Sequence, residues 1–154
     1  MAGSLYAGIL SAKGYQDGKV IAETKVETTG EPAAIQLTAD RSTINADGED
    51  CSVVTVAVRD AQGRIVPVAG NLINFEILGA GKIIGVGNGD PSSHEADVCT
   101  TPTAKRSVFN GLAQVIVQAN KDAGDIQLTA QADGLTATTL TIHAAAHPPH
   151  AALP

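Results

Sequence analysis

The sequence predicts an all-β protein, a two-sheet sandwich of about seven short strands with a separate β-hairpin ahead of it. Three observations lead there. Apolar residues recur at every second position in segment after segment, which is the period of a strand with one face buried, and no stretch sustains the helical period. The composition is rich in Val, Ile, Leu, Ala and Thr but holds two Phe, two Tyr and no Trp, and branched side chains pack well on a pleated surface. Turn words built from Gly, Asn and Asp separate the segments at short intervals, drawing on sixteen glycines and seven prolines.

The elements follow in order. Residues 5–29 read as a hairpin in which Leu10, Ala12 and Gly14 lead to Tyr15, Gln16-Asp17-Gly18-Lys19 turns the chain, and Val20 to Val26 returns. A lone hairpin is marginal in water, so this one needs a surface to pack on. Thr28 to Pro32 reads as a linker. Ile35, Leu37 and Ala39 then alternate with polar neighbours up to the turn at Asn45-Ala46-Asp47-Gly48. Ser52 to Arg59 is the clearest strand, with Val54, Val56 and Val58 on one face. Leu72 to Leu78 places Ile73, Phe75 and Ile77 together, and Lys82 to Val86 follows. A polar stretch from Gly87 to about Thr103 reads as a loop. Leu112 to Ala119 aligns Ala113, Val115 and Val117; Ile126, Leu128 and Ala130 form the next strand; Thr136 to Ile142 closes with Leu140 and Ile142 inward. The shared word Ile-Gln-Leu-Thr-Ala at Ile35 and Ile126 stands without repetition around it, so it reflects two strands meeting one demand. The expected units are therefore residues 1–30, a hairpin and linker; residues 31–143, the sandwich; and residues 144–154, an Ala/Pro/His-rich tail that does not pack.

Bulk properties narrow the function. With 44% hydrophobic residues in 154, a sizeable core is available. The net charge is −6, and Lys105-Arg106 is the one adjacent basic pair, so a phosphate backbone would meet no positive stripe and nucleic acid is not an expected partner. No apolar run reaches membrane-spanning length. Met1-Ala2-Gly3-Ser4 is not followed by the basic and long apolar regions of a signal peptide. Cys51 and Cys99 leave two readings open: separate thiols, or a disulfide closing a long loop, worth roughly 2–4 kcal/mol. The bridge needs a geometry that sequence does not display, and it would favour a periplasmic or secreted protein.

A family becomes visible in Leu37-Thr-Ala-Asp-Arg41, Ala46-Asp-Gly-Glu-Asp50, Val54-Thr-Val56, Phe75, Gly85-Val-Gly-Asn-Gly-Asp-Pro91, Ser93-His-Glu95 and Phe109-Asn-Gly111. Together these resemble the C-terminal immunoglobulin-like domain of bacterial glycoside hydrolase family 2 enzymes, the β-galactosidase-like group, over about residues 31–143. The first half is also similar to the immunoglobulin-like domains of invasin-type adhesins. Tyr15, Asp17-Gly18-Lys19 and Val20 resemble the last two strands of the domain that precedes this module. The resemblance implies an immunoglobulin-like, invasin-like sandwich carried by a parent that hydrolyses β-galactosides or a related glycoside. It places the two catalytic carboxylates in a separate barrel domain, so no catalytic residue and no cofactor is carried over to this chain. The chain departs from the family at Cys51 and Cys99, where no cysteine is expected, and this raises the disulfide reading.

The expected role is thus a non-catalytic scaffold and spacer whose partners are the parent's other domains. Two alternatives stand beside it, a carbohydrate-binding module of the same enzyme and an adhesin-type repeat of a surface protein. Glycoside hydrolysis requires two carboxylates facing each other across the bond. Glu31, Asp40, Asp47, Glu49, Asp50, Asp90, Glu95 and Asp97 are available, but nearly all sit in turn words where such side chains bond to nearby backbone. The loop holding Asn88, Asp90, Ser93, His94 and Glu95 is the best candidate site, for contact with a neighbouring domain, a sugar or a cation. Its structural reading has Asn88 and Asp90 bracing the loop while His94 and Glu95 pin it to the sandwich, and bracing or interdomain docking is the expectation. The oxygens would suit calcium, but their spacing matches no calcium-loop word. Of the aromatic residues a sugar could stack on, Phe75 faces inward and Tyr6 lies in the leader, leaving Tyr15 and Phe109. His143, His147 and His150 read as tail residues and not as a metal site. Asp40-Arg41 and Lys105-Arg106 read as surface or loop-bracing charges. The unpaired edges of the hairpin make association through it an expected hazard.

Overall fold

Period-two burial along each segment becomes two sheets face to face. The computed structural model describes residues 8–99 and 102–148, and among them eleven strands and no helix form. They are β1 (Ile9–Gln16), β2 (Lys19–Glu27), β3 (Ala34–Ala39), β4 (Thr43–Asn45), β5 (Cys51–Arg59), β6 (Leu72–Gly79), β7 (Gly81–Gly87), β8 (Thr103–Ser107), β9 (Leu112–Ala119), β10 (Gly124–Gln131) and β11 (Thr138–Ala145). β1 and β2 pair with each other alone. The other nine build an immunoglobulin-like sandwich, with sheet order β3-β5-β9-β7 on one side and β4-β11-β10-β6-β8 on the other. Neighbours are antiparallel except β4, which runs parallel to β11.

The core is the layer between the two sheets. Val54, Val56 and Val58 on β5 are fully buried, as are Val115 and Val117 on β9. Ile73 and Phe75 on β6, Ile126, Leu128 and Ala130 on β10, and Ile142 on β11 close the layer from the opposite sheet. Each such branched side chain gains about 1.5–3 kcal/mol on leaving water. Register delivers this packing, since Val54 faces Val115 across one ladder and Leu128 faces Ile77 across another. A slip of one residue would turn every one of them to solvent.

The sandwich holds two more strands than the sequence reading counts. β4 is three residues long, too short for alternation to show. β8 reads Thr-Ala-Lys-Arg-Ser and hides its inward positions behind Lys105-Arg106. β11 also runs past the expected boundary at His143, because Ala144 continues the buried parity at 0% exposure and the Ala145 carbonyl accepts the Ala46 N–H at 2.8 Å. The packed unit therefore includes Ala144 and Ala145, the first two residues assigned to the tail.

The hairpin is a different object. Asp17 and Gly18 take φ of 51° and 76°, the two positive values of the tight turn that matches strand twist, and Asp-Gly is suited to them. Ile9, Leu10, Tyr15, Val20, Ile21 and Val26 are all at least half exposed. Pairing puts Leu10 beside Val26, Ala12 beside Thr24 and Gly14 beside Ala22 on one face, while Lys13–Glu23 and Lys25–Glu27 ion pairs lace the other. Ile9, opposite Glu27, and Ile21 share that ion-paired face, so exposed apolar side chains stand on both faces of the hairpin.

The disulfide reading is corrected. Cys51 and Cys99 are free thiols. Cys51 opens β5, and β9 and β7 lie between it and the segment around Val98, which bridges the outer edge of β7 at Gly85. Three strand spacings of about 4.8 Å separate the two, roughly twice what a disulfide spans. The argument for export that rested on the bridge falls with it.

Candidate functional site

The loop after β7 is held by its own polar side chains and by one buried cation. Asn88 Oδ1 accepts the Asp90 N–H at 3.0 Å, and Asp90 Oδ1 accepts both the N–H and the hydroxyl of Ser92, at 2.9 and 2.7 Å. Ser93 Oγ accepts the Glu95 N–H at 3.3 Å. Glu95 then clasps β8, its two oxygens accepting the Ser107 hydroxyl at 2.6 Å and the Ser107 N–H at 2.9 Å. Those two bonds, the hydroxyl first, hold the Glu95 carboxyl below its usual range in spite of burial. The Ser92 hydroxyl does the same for Asp90.

Arg106 is the hub. Its guanidinium donates to Asn88 Oδ1 at 2.9 Å, to the Glu95 carbonyl at 3.1 Å and to Asp97 Oδ1 at 2.6 Å, while its Nε lies 3.5 Å from Glu95 Oε2. Asn88 donates in turn to the Ser107 carbonyl at 2.9 Å. Arg106 is 4% exposed, so the surface reading of this residue is corrected and the bracing one describes it. The signal was present in the parity of Ala104, Arg106 and Val108, which puts Arg106 on the inward face of β8. Of the five loop residues singled out from sequence, Asn88, Asp90, Ser93 and Glu95 join this network. His94 is exposed and takes part in none of its bonds.

The loop opens at one end of the sandwich, the hairpin end, where the chain also enters from β2. A second bracing centre sits there that the sequence reading missed. Asp60, 3% exposed, accepts the N–H groups of Gly30 at 2.8 Å, Gln62 at 3.0 Å and Arg64 at 2.9 Å, together with the Arg64 guanidinium at 2.8 Å. Burial pushes its carboxyl up, but these bonds outweigh it and the group titrates far below the usual carboxylate range. Arg64 reaches on to Glu27 of β2, 3.4 Å away. Gly30 and Glu27 lie thirty or more positions from their partners, so no local word announces the clamp. The opposite end is braced likewise: Arg41 binds Asp50 at 2.9 Å and the Cys51 carbonyl, while Asp40 accepts Ser52 Oγ and the Val53 N–H, each at 2.9 Å.

Chemically, these carboxylates are occupied. Asp40, Asp47, Asp50, Asp60, Asp90 and Glu95 all have lowered pKa values, set by hydrogen bonds in each case. A glycosidase acid needs the reverse, a carboxyl held protonated near neutrality. Among the described residues no three His, Cys, Asp or Glu side chains gather to hold a metal ion. His143 Nδ1 lies 3.0 Å from Asp125 Oδ1, and His150 falls outside the described residues. Phe75 is buried at 2% exposure, and among the described residues the exposed aromatic side chains are Tyr15 on the hairpin and Phe109 at the end of the sandwich.

Comparison with known proteins agrees with this picture. The family described as glycoside hydrolase family 2 C-terminal domain 5 matches residues 35–141. A beta-galactosidase of Bacteroides ovatus, BoGH2A, is 43% identical over 129 residues, which is 84% of this chain and 15% of that protein. A beta-glucuronidase of Formosa agariphila is 31% identical over 139 residues, 88% of this chain and 14% of its own length. The crystal structure of a glycosyl hydrolase family 2 member from Bacteroides cellulosilyticus superposes with a TM-score of 0.84 at 34% identity, over 91% of this chain and 18% of that one. The chain thus spans about one seventh of the length of the curated relatives named here.

Proposed function

Because the chain belongs to the glycoside hydrolase family 2 C-terminal domain 5 family, we propose that it is a non-catalytic accessory module of a longer family 2 glycosidase, acting as scaffold and spacer. The observation that carries this reading is the state of its carboxylates. Those with shifted titration are spent on backbone N–H groups, hydroxyls or arginines, and none is held protonated as a general acid would be. Hydrolysis in the parent, of a β-galactoside or a related β-glycoside, is then the work of a separate domain. Incubating this chain with chromogenic β-galactoside and β-glucuronide is expected to give no release above buffer. Turnover that persists through purification would overturn the reading. Titration with galactosides addresses the carbohydrate-binding alternative, and saturable binding at millimolar concentration or tighter would favour it.

The hairpin belongs, on this proposal, to the preceding domain of the parent, with residues 31–145 forming the module itself. Its support is the exposed apolar surface of β1–β2, Leu10 and Val26 on one face and Ile9 and Ile21 beside the ion pairs of the other, on a hairpin that pairs with no other strand. Cut off from that domain, the exposed apolar side chains and open edges favour self-association. Light scattering of this chain at rising concentration is expected to show growth in mass that a chain starting at Glu27 lacks.

A further inference from the structure

Exposed large hydrophobic residues are not spread evenly over this molecule. Of thirteen among the described residues, six are on the hairpin. Five more, Ile65, Val68, Leu72, Phe109 and Leu112, are at the hairpin end of the sandwich, with exposures of 38, 88, 44, 39 and 39%. Of the other two, Leu78 stands at the opposite end of β6 and Val98 beside the middle of β7, while the loops of that opposite end carry Asp40, Arg41, Asp47, Glu49, Asp50 and Lys121. Scattered apolar side chains on a surface are ordinary, but a concentration of them at one end is a mark of contact.

Backbone contacts bring the segments that carry the five together at this end, with Leu72 turned to the outer face of one sheet and Leu112 to that of the other. Phe109 and Leu112 exchange backbone hydrogen bonds at 2.8 and 3.0 Å around a tight turn at Asn110-Gly111, whose φ values of 52° and 76° are both positive. That turn is pressed onto the segment bearing Ile65 and Val68: the Gly111 N–H donates to the Ala69 carbonyl at 3.1 Å, and a Cβ on Gly111 would stand 2.3 Å from the Val66 carbonyl oxygen and 3.2 Å from Ile65 Cγ2. The Val108 N–H donates to the carbonyl of Asn71, the residue before Leu72, at 2.9 Å. On its other flank Leu112 borders a groove of ≈ 310 Å³ shared with Asn88 and Gly89. The surface also runs into the clamp, since Ile65 follows Arg64, which joins Asp60 to Glu27 of the hairpin strand.

We propose that this end face is a docking surface for the β-domain that β1–β2 complete, so that the hairpin and the end of the sandwich contribute to one apolar seam within the parent polypeptide. The proposal rests on the reading of the hairpin as part of a preceding domain. The occupant follows from position. The Asp60–Gly30 and Arg64–Glu27 contacts fix where the chain enters the module, and a domain built around β1–β2 must begin within a few residues of Ile65 and Phe109. Relatives about seven times longer supply the polypeptide for such a domain. Its contacting surface would be aliphatic or aromatic and poor in charge, because an ion facing this patch would lose hydration without gaining a partner.

Hydroxyl-radical footprinting of this chain and of the longer parent tests it, with Phe109 and Leu112 reporting on the end face and Leu10 and Tyr15 on the hairpin. Protection of both sets by about fivefold or more in the parent is the expected result. Protection of the hairpin with equal labelling of the end face overturns the docking surface and leaves the hairpin reading standing. Equal labelling of both sets overturns both. Protection of the end face that appears in the short chain alone and grows with its concentration assigns the surface to a second copy and overturns the proposal. Val68→Glu gives an independent check, because so exposed a side chain has no folding role in the short chain. It is expected to raise Leu112 labelling several-fold in the parent while the melting temperature of the short chain stays unchanged; unchanged labelling in the parent overturns the proposal.

Discussion

The hairpin and the sandwich share one local grammar and differ in everything that gives a sheet stability. Both alternate apolar with polar residues, both turn at Asp-Gly or Asn-Gly pairs with two positive φ angles, and both pair antiparallel. Yet Val54 and Val56 on β5 are fully buried, while Leu10 and Val26, paired on one face of β1–β2, are 76 and 68% exposed. Alternation states which face is to be covered; it does not state by what. In the sandwich the cover is the other sheet of the same chain. For the hairpin no cover is present among the described residues, and on our proposal it is the domain that β1–β2 complete.

That contrast can be broken most forcefully in the core. Phe75→Ala is expected to destabilise the sandwich by about 4 kcal/mol, since the cavity lies between two packed sheets, whereas Leu10→Ala should stay within about 0.5 kcal/mol. Urea unfolding of the two variants measures the gap, and comparable losses would mean that the hairpin is packed in solution. Arg106→Ala should cost less, about 2 kcal/mol. It removes a buried cation and takes a donor from the Glu95 carbonyl and from Asn88 Oδ1, which keeps the Asp90 N–H, but Asp97, at 73% side-chain exposure, regains water. The same denaturant titration reads it, and limited proteolysis should show faster cleavage between Gly87 and Val98.

The clamp at Asp60 predicts a smaller effect, visible in acid. Its carboxyl is depressed when folded and ordinary when unfolded, near 3.9, so its stabilisation is complete above that value and is lost as pH falls towards the folded pKa. Asp60→Asn should therefore be less stable than the parent chain at pH 7, with the difference narrowing as pH falls from about 4 to 2. Thermal melts across that range check the sign, and a gap that widens in acid would contradict the assignment.

Much of this architecture was readable from residue order because its cause is local. Val54, Val56 and Val58 announce their buried face through period two, and Asp17-Gly18 announces its turn through the backbone angles it tolerates. What escaped depended on distance or brevity. β4 has three residues and borrows its place from β11, and β8 hides behind two adjacent basic residues, one of which is the buried hub of the candidate loop. Four of the five loop residues join the hydrogen-bond network around Arg106, yet nothing near Asn88 names that partner, which lies eighteen positions away. The Asp60 clamp escaped for the same reason. The cysteines misled because an unusual pair in sequence carries no information about how many strands stand between them.

The most direct test of the division between a self-sufficient sandwich and a hairpin awaiting its cover is a melting curve. Residues 27–148, which keep the clamp and lose β1 and most of β2, are expected to unfold within about 2 °C of the whole chain. A drop of about 5 °C or more, equivalent to roughly 1 kcal/mol, would show that the hairpin already packs on the sandwich and would contradict the account.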